Sequence, residues 1–277
     1  MKLNDFIEGQ DVTELLGIIK YDPQAQEERA LSVPTHRNKV IKFCMKSELF
    51  RTIYFKLNNK ERGAWPSCIS HTDEEPIQKC ADIIFNHFHE DFYVSEKLDG
   101  QSASFFVDNQ RIWGFNRRVF GVCSRNIHLK TPDNSKYWQS AKKYNLEKIL
   151  KQQDELYSIA AEQAGPGIQG NKYNLSEVQL FVFNVNRNGE RQKLEDMLDF
   201  CAVNGLSMVP IISRKYIPYE HIPTNDRATI VKWLLDYSNG KSLLYDTIRE
   251  GVVFRLNSNP SISFKVRSPE FLIKHEE

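Results

Sequence analysis

At 277 residues and 40% hydrophobic content, the chain can bury one large core, or a core plus a small appendage. Lys+Arg 37 against Asp+Glu 36 leaves a formal net charge of +1, which excludes a protein that holds nucleic acid by bulk charge and confines such binding to local patches. Cys44, Cys68, Cys80, Cys123 and Cys201 are scattered, without a Cys-x-x-Cys pair or zinc-ligand spacing, and no apolar run is long enough to cross a bilayer, so a soluble, intracellular protein with no membrane partner is expected.

In chain order, Val12, Leu15, Leu16, Ile18 and Ile19 predict a short helix over 11–20, ended by Tyr21-Asp22-Pro23. A polar loop follows over 23–38. From 39 to 56, Lys39, Lys42, Lys46, Arg51 and Lys56 alternate with Val40, Phe43, Leu49, Phe50, Ile53 and Phe55, which predicts a helix with one basic face, either solvated or touching phosphates. Thr72-Asp73-Glu74-Glu75 has the form of a capping box, and Ile77, Cys80, Ala81, Ile84, Phe85 and Phe88 follow at helical spacing. The texture then turns to short β-rich runs at 92–94, 103–107, 112–115 and 119–123, divided by Asp-Gly, Asp-Asn and Phe-Gly turns. Further strands are expected at 156–161, 180–185, 208–212, 251–256 and 262–266, with helices near 136–152, 191–204 (closed by Gly205) and 226–239 (closed by Gly240). The mixed order, without regular βαβ alternation or repeats, favours an α+β architecture built on antiparallel sheet with flanking helices. The expected organisation is a connector and basic helical segment over 1–64, then the main domain over 65–277.

The sharpest local feature is Glu96-Lys97-Leu98-Asp99-Gly100, between a predicted strand and a polar turn. Alone it reads equally as a turn with a solvated lysine. Downstream stand Glu162, Gly165-Pro166-Gly167-Ile168-Gln169-Gly170-Asn171, Phe181-Val182-Phe183-Asn184-Val185, Glu250-Gly251-Val252-Val253-Phe254 and Phe264-Lys265-Val266-Arg267. In this order and spacing the set resembles the nucleotidyltransferase motifs of the covalent ligase and capping-enzyme superfamily. The Gly-Pro-Gly-Ile-Gln run and Phe120-Gly121-Val122-Cys123-Ser124-Arg125-Asn126 resemble RNA ligases in particular, those of the Deinococcus and Naegleria type, over roughly residues 8 to 274. The resemblance implies an ATP-dependent RNA ligase with a ligase adenylation domain: Lys97 takes up AMP, AMP passes to a 5′-phosphate, and a 3′-hydroxyl attacks to seal a break or nick, as in RNA repair. The implied partner is RNA, or an RNA-containing duplex, with such ends. The relatives' front oligonucleotide-binding (OB) fold is not recognisable here, and 11–17 resembles the connector that follows it; either the chain is truncated or the natural protein does without the module, and an OB module acting in trans is left open.

Each motif has a chemical reason. An amine attacks phosphorus only when unprotonated, which desolvation or nearby cations favour. Lys265 and Arg267, alternate residues on a strand, share a face and can supply two cations for the crowded phosphate charge. Asp99, Glu162 and Glu250 are implied ligands of hydrated Mg2+ (or Mn2+), Glu162 touching the ribose as well, and solvated loop acids are the plain alternative. Phe183 is placed to stack on adenine, with core packing as the competing reading. Glu96 is implied to face the adenine, a surface sheet-edge acid being the other reading. Arg125 matches an arginine that contacts the ribose or a nucleic-acid end, against a surface salt bridge; Arg117 and Arg118 are candidates for the same groove, against a solvated hairpin. The other functions open to this motif set are an ATP-dependent DNA ligase, a GTP-using capping enzyme and a non-catalytic end-binding module, the last disfavoured because binding alone needs neither Lys97 nor its carboxylates.

Overall fold

Two antiparallel sheets form the frame, and the chain passes from one to the other at the turn that follows Lys97. The computed structural model describes residues 62–63, 65–69, 73–112, 115–129, 135–223 and 226–275, all within the unit from Lys60 to Glu277. The helices expected at 11–20 and 39–56 lie outside the described residues, as does Thr72.

The strands are β1 (Arg62–Gly63), β2 (Phe92–Lys97), β3 (Gln101–Ile112), β4 (Phe115–Cys123), β5 (His128–Leu129), β6 (Tyr157–Ala164), β7 (Gln179–Arg187), β8 (Glu190–Arg191), β9 (Ile211–Tyr216), β10 (Gly251–Leu256) and β11 (Ser263–Arg267). The helices are α1 (Ile77–Cys80), α2 (Asp82–Asn86), α3 (Lys136–Lys143), α4 (Leu146–Lys151), α5 (Leu194–Val203), α6 (Pro218–His221), α7 (Arg227–Ser238) and α8 (Pro269–His275). The larger sheet runs β1-β5-β4-β3-β6-β7-β8 and the smaller β11-β10-β2-β9, so the expected α+β, antiparallel architecture is what forms.

Side-chain alternation assigns the layers. Ala103, Phe105 and Val107 of β3, with Ile159 and Ala161 of β6, bury one face of the larger sheet under Trp138, Leu146, Leu150, Leu194 and Met197 of α3, α4 and α5. Phe92 and Val94 of β2, with Val252, Phe254, Phe264 and Val266, bury one face of the smaller sheet under Ile77, Ile84, Ile230 and Leu234 of α1, α2 and α7. The opposite faces are left for the site.

Several elements depart from the local pattern, each for a tertiary reason. Asp108-Asn109 and Phe120-Gly121 are not turns: β3 and β4 pair from Ser104↔Cys123 to Ile112↔Phe115, so Ile112 ends one strand and Phe115 begins its antiparallel partner. Gly121 is needed within β4 because a Cβ there would meet the ring of Phe106 on the partner strand at 2.2 Å. The helix expected over 136–152 is two, α3 and α4, divided by Asn145 in the left-handed region (φ 52). Residues 207–210 bond to β7 through Val182 N to Ser207 O (2.8 Å) and Val209 N to Val182 O (2.9 Å), and Pro210 O then accepts from Glu96 N of β2 before the chain continues beside β2 as β9. Gly205 closes α5 as expected, with Leu206 N bonded to Cys201 O and Gly205 N to Ala202 O.

Glu74 is the larger correction. It caps no helix; α1 starts behind Pro76 without a side-chain cap. Its buried carboxylate takes Arg191 of β8 at 3.1 Å and Arg255 of β10 at 3.0 Å, and accepts from the Ser263 hydroxyl, tying the two sheets together. Desolvation alone would raise the Glu74 pKa, but Arg255, Arg191 and the Ser263 hydrogen bond together hold it below the ordinary carboxylate range. Glu74→Ala leaves two guanidinium groups uncompensated, one of them buried, and is expected to lower the unfolding free energy in urea by about 3–5 kcal/mol. Because the folded pKa is depressed, the stability Glu74 contributes is present above the unfolded pKa and is lost as pH falls through the folded value, so the acid-side loss should be smaller in the variant.

Candidate active site

Lys97 is the last residue of β2, and the ladder determines its company. Lys97 pairs with Gly251, and Gly251 with Arg267, so the three form one row across the smaller sheet. Directly opposed residues share a face, hence Lys97 and Arg267 lie on the side away from the α1–α2–α7 core, with Lys265 two residues along. Gly251 allows the close approach: a Cβ there would meet Val266 O at 2.1 Å. Glu250 reaches into this row, its Oε2 accepting from Lys97 Nζ at 2.6 Å and its Oε1 lying 3.5 Å from Arg267 Nε. Its position is set from behind, where Arg249 donates to the carbonyls of Tyr237, Ser238 and Asn239 at the end of α7.

The turn after Lys97 carries Asp99 and Gly100. Gly100 lies against β6, where a Cβ would meet Gln163 O at 2.3 Å and Glu162 Cγ at 3.0 Å, so no other residue fits without moving Glu162. The Asp99 backbone N–H donates to Tyr173 Oη at 2.6 Å, and its carboxylate pairs with Lys172. Glu162 of β6 stands in the same electrostatic neighbourhood. Desolvation, reinforced by Glu250 and Asp99 and opposed by Lys97 and Arg125, pushes it up to about 8. Desolvation, with Lys97 and Arg125 adding to it, lowers the Lys265 pKa against the pull of Asp73 and Glu250.

The structure thus brings Lys97, Asp99, Glu162, Glu250, Lys265 and Arg267 together, and Arg125 joins them electrostatically through Glu162 and Lys265. Arg125 itself grips Asp73 with Nε and Nη2, at 3.1 and 2.9 Å. Glu96 is not a surface acid: alternation turns it away from Lys97, and it is buried with Oε2 accepting from Leu243 N at 2.8 Å. Phe183 sits at a bulge in β7, half-buried among Leu98, Tyr173, Phe181 and Leu244, while Phe181 is core. Glu96 and Phe183 therefore meet the same 242–244 loop from two sides. Arg118 serves another purpose, donating to backbone carbonyls of Lys151, Gln153 and Asp154 at the end of α4, and Arg117 is exposed on the hairpin. Lys172, Tyr173 and Asp73 escaped sequence reasoning. Lys172 and Tyr173 directly follow the Gly-Pro-Gly-Ile-Gln-Gly-Asn run, and that adjacency was the only available signal.

Among the described residues no three His, Cys, Asp or Glu side chains form a group that could cage a metal ion, and Glu250 and Asp99 are each engaged by an ammonium. This donor set suits a cation that keeps most of its water and takes other ligands from phosphates, as Mg2+ does.

A family model described as RNA ligase matches residues 90–268. The fold is similar to solved structures of an RNA ligase from Naegleria gruberi: the enzyme with PPi at TM-score 0.68 and 23% identity, covering 99% of this chain and 69% of that one. A variant with ATP and Mn aligns at TM-score 0.70 and 23% identity, covering 99% and 70%. No curated protein sequence matches the chain.

With its pKa pushed up to about 8, Glu162 keeps a proton in the folded state that the unfolded chain has already released. Wild-type stability should therefore fall as pH rises from about 5 to 8, and Glu162→Gln should flatten that decline; equal slopes in urea-unfolding series would contradict the assignment.

Proposed function

The chain belongs to the RNA ligase family, and from that premise we propose that it joins RNA ends through a covalent lysyl-AMP formed on Lys97. What carries the reading is the row Lys97–Gly251–Arg267 with Glu250 at 2.6 Å from the Lys97 ammonium: a buried-edge amine held in place among cations and carboxylates drawn from separate parts of the chain.

In this mechanism Lys97 first loses a proton, for which Glu250 is the adjacent acceptor. The amine then attacks the α-phosphorus of ATP; the N–P bond forms, the α–β bridging P–O bond breaks, and pyrophosphate leaves. Lys265 and Arg267 hold the phosphate charge as it develops. Asp99, Glu162 and Glu250 would hold a hydrated Mg2+ or Mn2+, which shields the phosphates when bound; in the Naegleria enzyme, ATP is accompanied by Mn. Adenine would lie between Phe183 and the 242–244 loop, with Glu96 setting the loop through Leu243 N. AMP would next pass to an RNA 5′-phosphate and be released when a 3′-hydroxyl attacks, with Arg125 leaving Asp73 to hold a phosphate or ribose. Arg117 completes the nucleic-acid face; Arg118 supports it by capping α4. Residues 65–277 form the adenylation domain in this reading, and 1–64 the connector with its basic segment.

Incubation with α-labelled ATP and Mg2+ should leave a label that survives denaturation and is lost in acid. Lys97→Ala should abolish it, and Lys97→Arg equally, because a guanidinium stays protonated. Lys265→Ala and Glu250→Ala should slow labelling by about a hundredfold, the scale of losing one charge-stabilising group. Undiminished labelling of a folded Lys97→Ala protein would overturn the mechanism.

A further inference from the structure

Asp99 is held at both ends by two consecutive residues of one loop. Tyr173 Oη accepts its backbone N–H at 2.6 Å, and the Lys172 ammonium pairs with its carboxylate, in a setting where the two side chains are 22% and 15% exposed. The loop is built rather than loose. Gly165 adopts φ 137 where a Cβ would meet Glu177 O at 2.6 Å, and Lys136 Nζ donates to Pro166 O at 2.9 Å and Gly167 O at 2.6 Å. Asn171 closes it further on, donating to Leu175 O at 2.9 Å and accepting from Leu175 N at 3.1 Å.

Lys172 also has a second partner in the same position. Its ammonium lies 4.9 Å from the ring centroid of Phe271 on α8, a distance at which an aromatic face attracts a cation. The Asp99 carboxylate cannot give the same oxygens to an ammonium and to a divalent cation, and the two positive charges repel. The ammonium on Oδ2 therefore competes with a metal for Asp99, and moving it away favours the metal.

We propose that Lys172 is a positioning residue for Asp99: its ammonium, lying over Phe271, holds the carboxylate in the nucleotide-free protein and gives it up when a divalent cation enters with the nucleotide. The inference rests on the assignment of Asp99 to the metal. Its consequence is an ordered site. Free metal meets a carboxylate already neutralised and binds weakly, whereas a metal–nucleotide complex brings phosphate ligands that outweigh the pair and offer the displaced ammonium new anions nearby. Removing the Lys172 charge should thus strengthen the binding of metal alone, the opposite of what losing a metal-supporting structural residue would do.

The test is Mn2+ binding to the nucleotide-free full chain, read from the electron paramagnetic resonance signal of free Mn2+. Lys172→Met, which keeps the length of the side chain and its packing on Phe271, should bind Mn2+ about tenfold more tightly than wild type, the scale of one charge-assisted hydrogen bond removed from competition. Lys172→Gln is the second variant, and Lys172→Arg should stay near wild type. Combined with Asp99→Asn, Lys172→Met should change Mn2+ affinity little. Unchanged or weaker binding in both folded neutral variants would overturn the proposal, as would an equal gain in the Asp99→Asn background, which would mark a general field effect instead of the pair. Covalent labelling of the wild type by α-labelled ATP, measured separately, reports on the ligase mechanism whichever way the Mn2+ series falls.

Discussion

The turn from Lys97 to Gly100 is where the chain leaves the smaller sheet and enters the larger one, and the rest of the site depends on how tightly that crossing can be made. β2 ends against β10, β3 begins against β6, and only Gly100 lies between the backbone of Gln163 and the side chain of Glu162. A side chain there would meet the Gln163 carbonyl oxygen at 2.3 Å. Because it has none, a residue from β2, one from the turn and one from β6 come within mutual electrostatic reach.

Two other links keep the crossing from flexing. Residues 207–210 bond to β7 and then lead into β9 beside β2, with Glu96 N bonded to Pro210 O at 2.8 Å. Glu74 joins β8 to β10 and β11 from the other side. A site built on strand ends and braced in this way holds its groups with little freedom to drift, which positioning chemistry requires. Arginines elsewhere do the same at longer range: Arg249 and Arg118 each grip the carbonyl end of a helix, where the backbone leaves acceptors and a partial negative charge.

Charge compensation is the second theme. Glu250 is matched by Lys97, Asp99 by Lys172 and Asp73 by Arg125, each pair partly sheltered or at the mouth of the site. Glu162 is displaced towards its neutral form by desolvation, against the pull of Lys97 and Arg125. A site so balanced is poor at attracting a bare ion and well prepared for a polyanion that arrives with its own counter-ion, since each pair can open onto a phosphate or a metal without stranding a charge.

Local pattern determined a good deal. Short β-rich runs bounded by turn residues located β2, β6, β7, β10 and β11, and the Lys97-Leu98-Asp99-Gly100 turn with its distant carboxylates marked a candidate site before any contact was known. Glu250 and Lys265 could be grouped with Lys97 because motif order carried them. What only the tertiary structure decided is who faces whom. Glu74 reads locally as an unassigned residue within a capping box and is a bridge between sheets; Asp108-Asn109 reads as a turn and runs straight because β4 pairs through it; Lys172 reads as a loop lysine and meets Asp99 seventy-three residues away. The physical reason is common to all three: a charged or polar residue in sequence is equally satisfied by water, and only the fold, by removing the water and supplying a specific partner, settles which interaction replaces it.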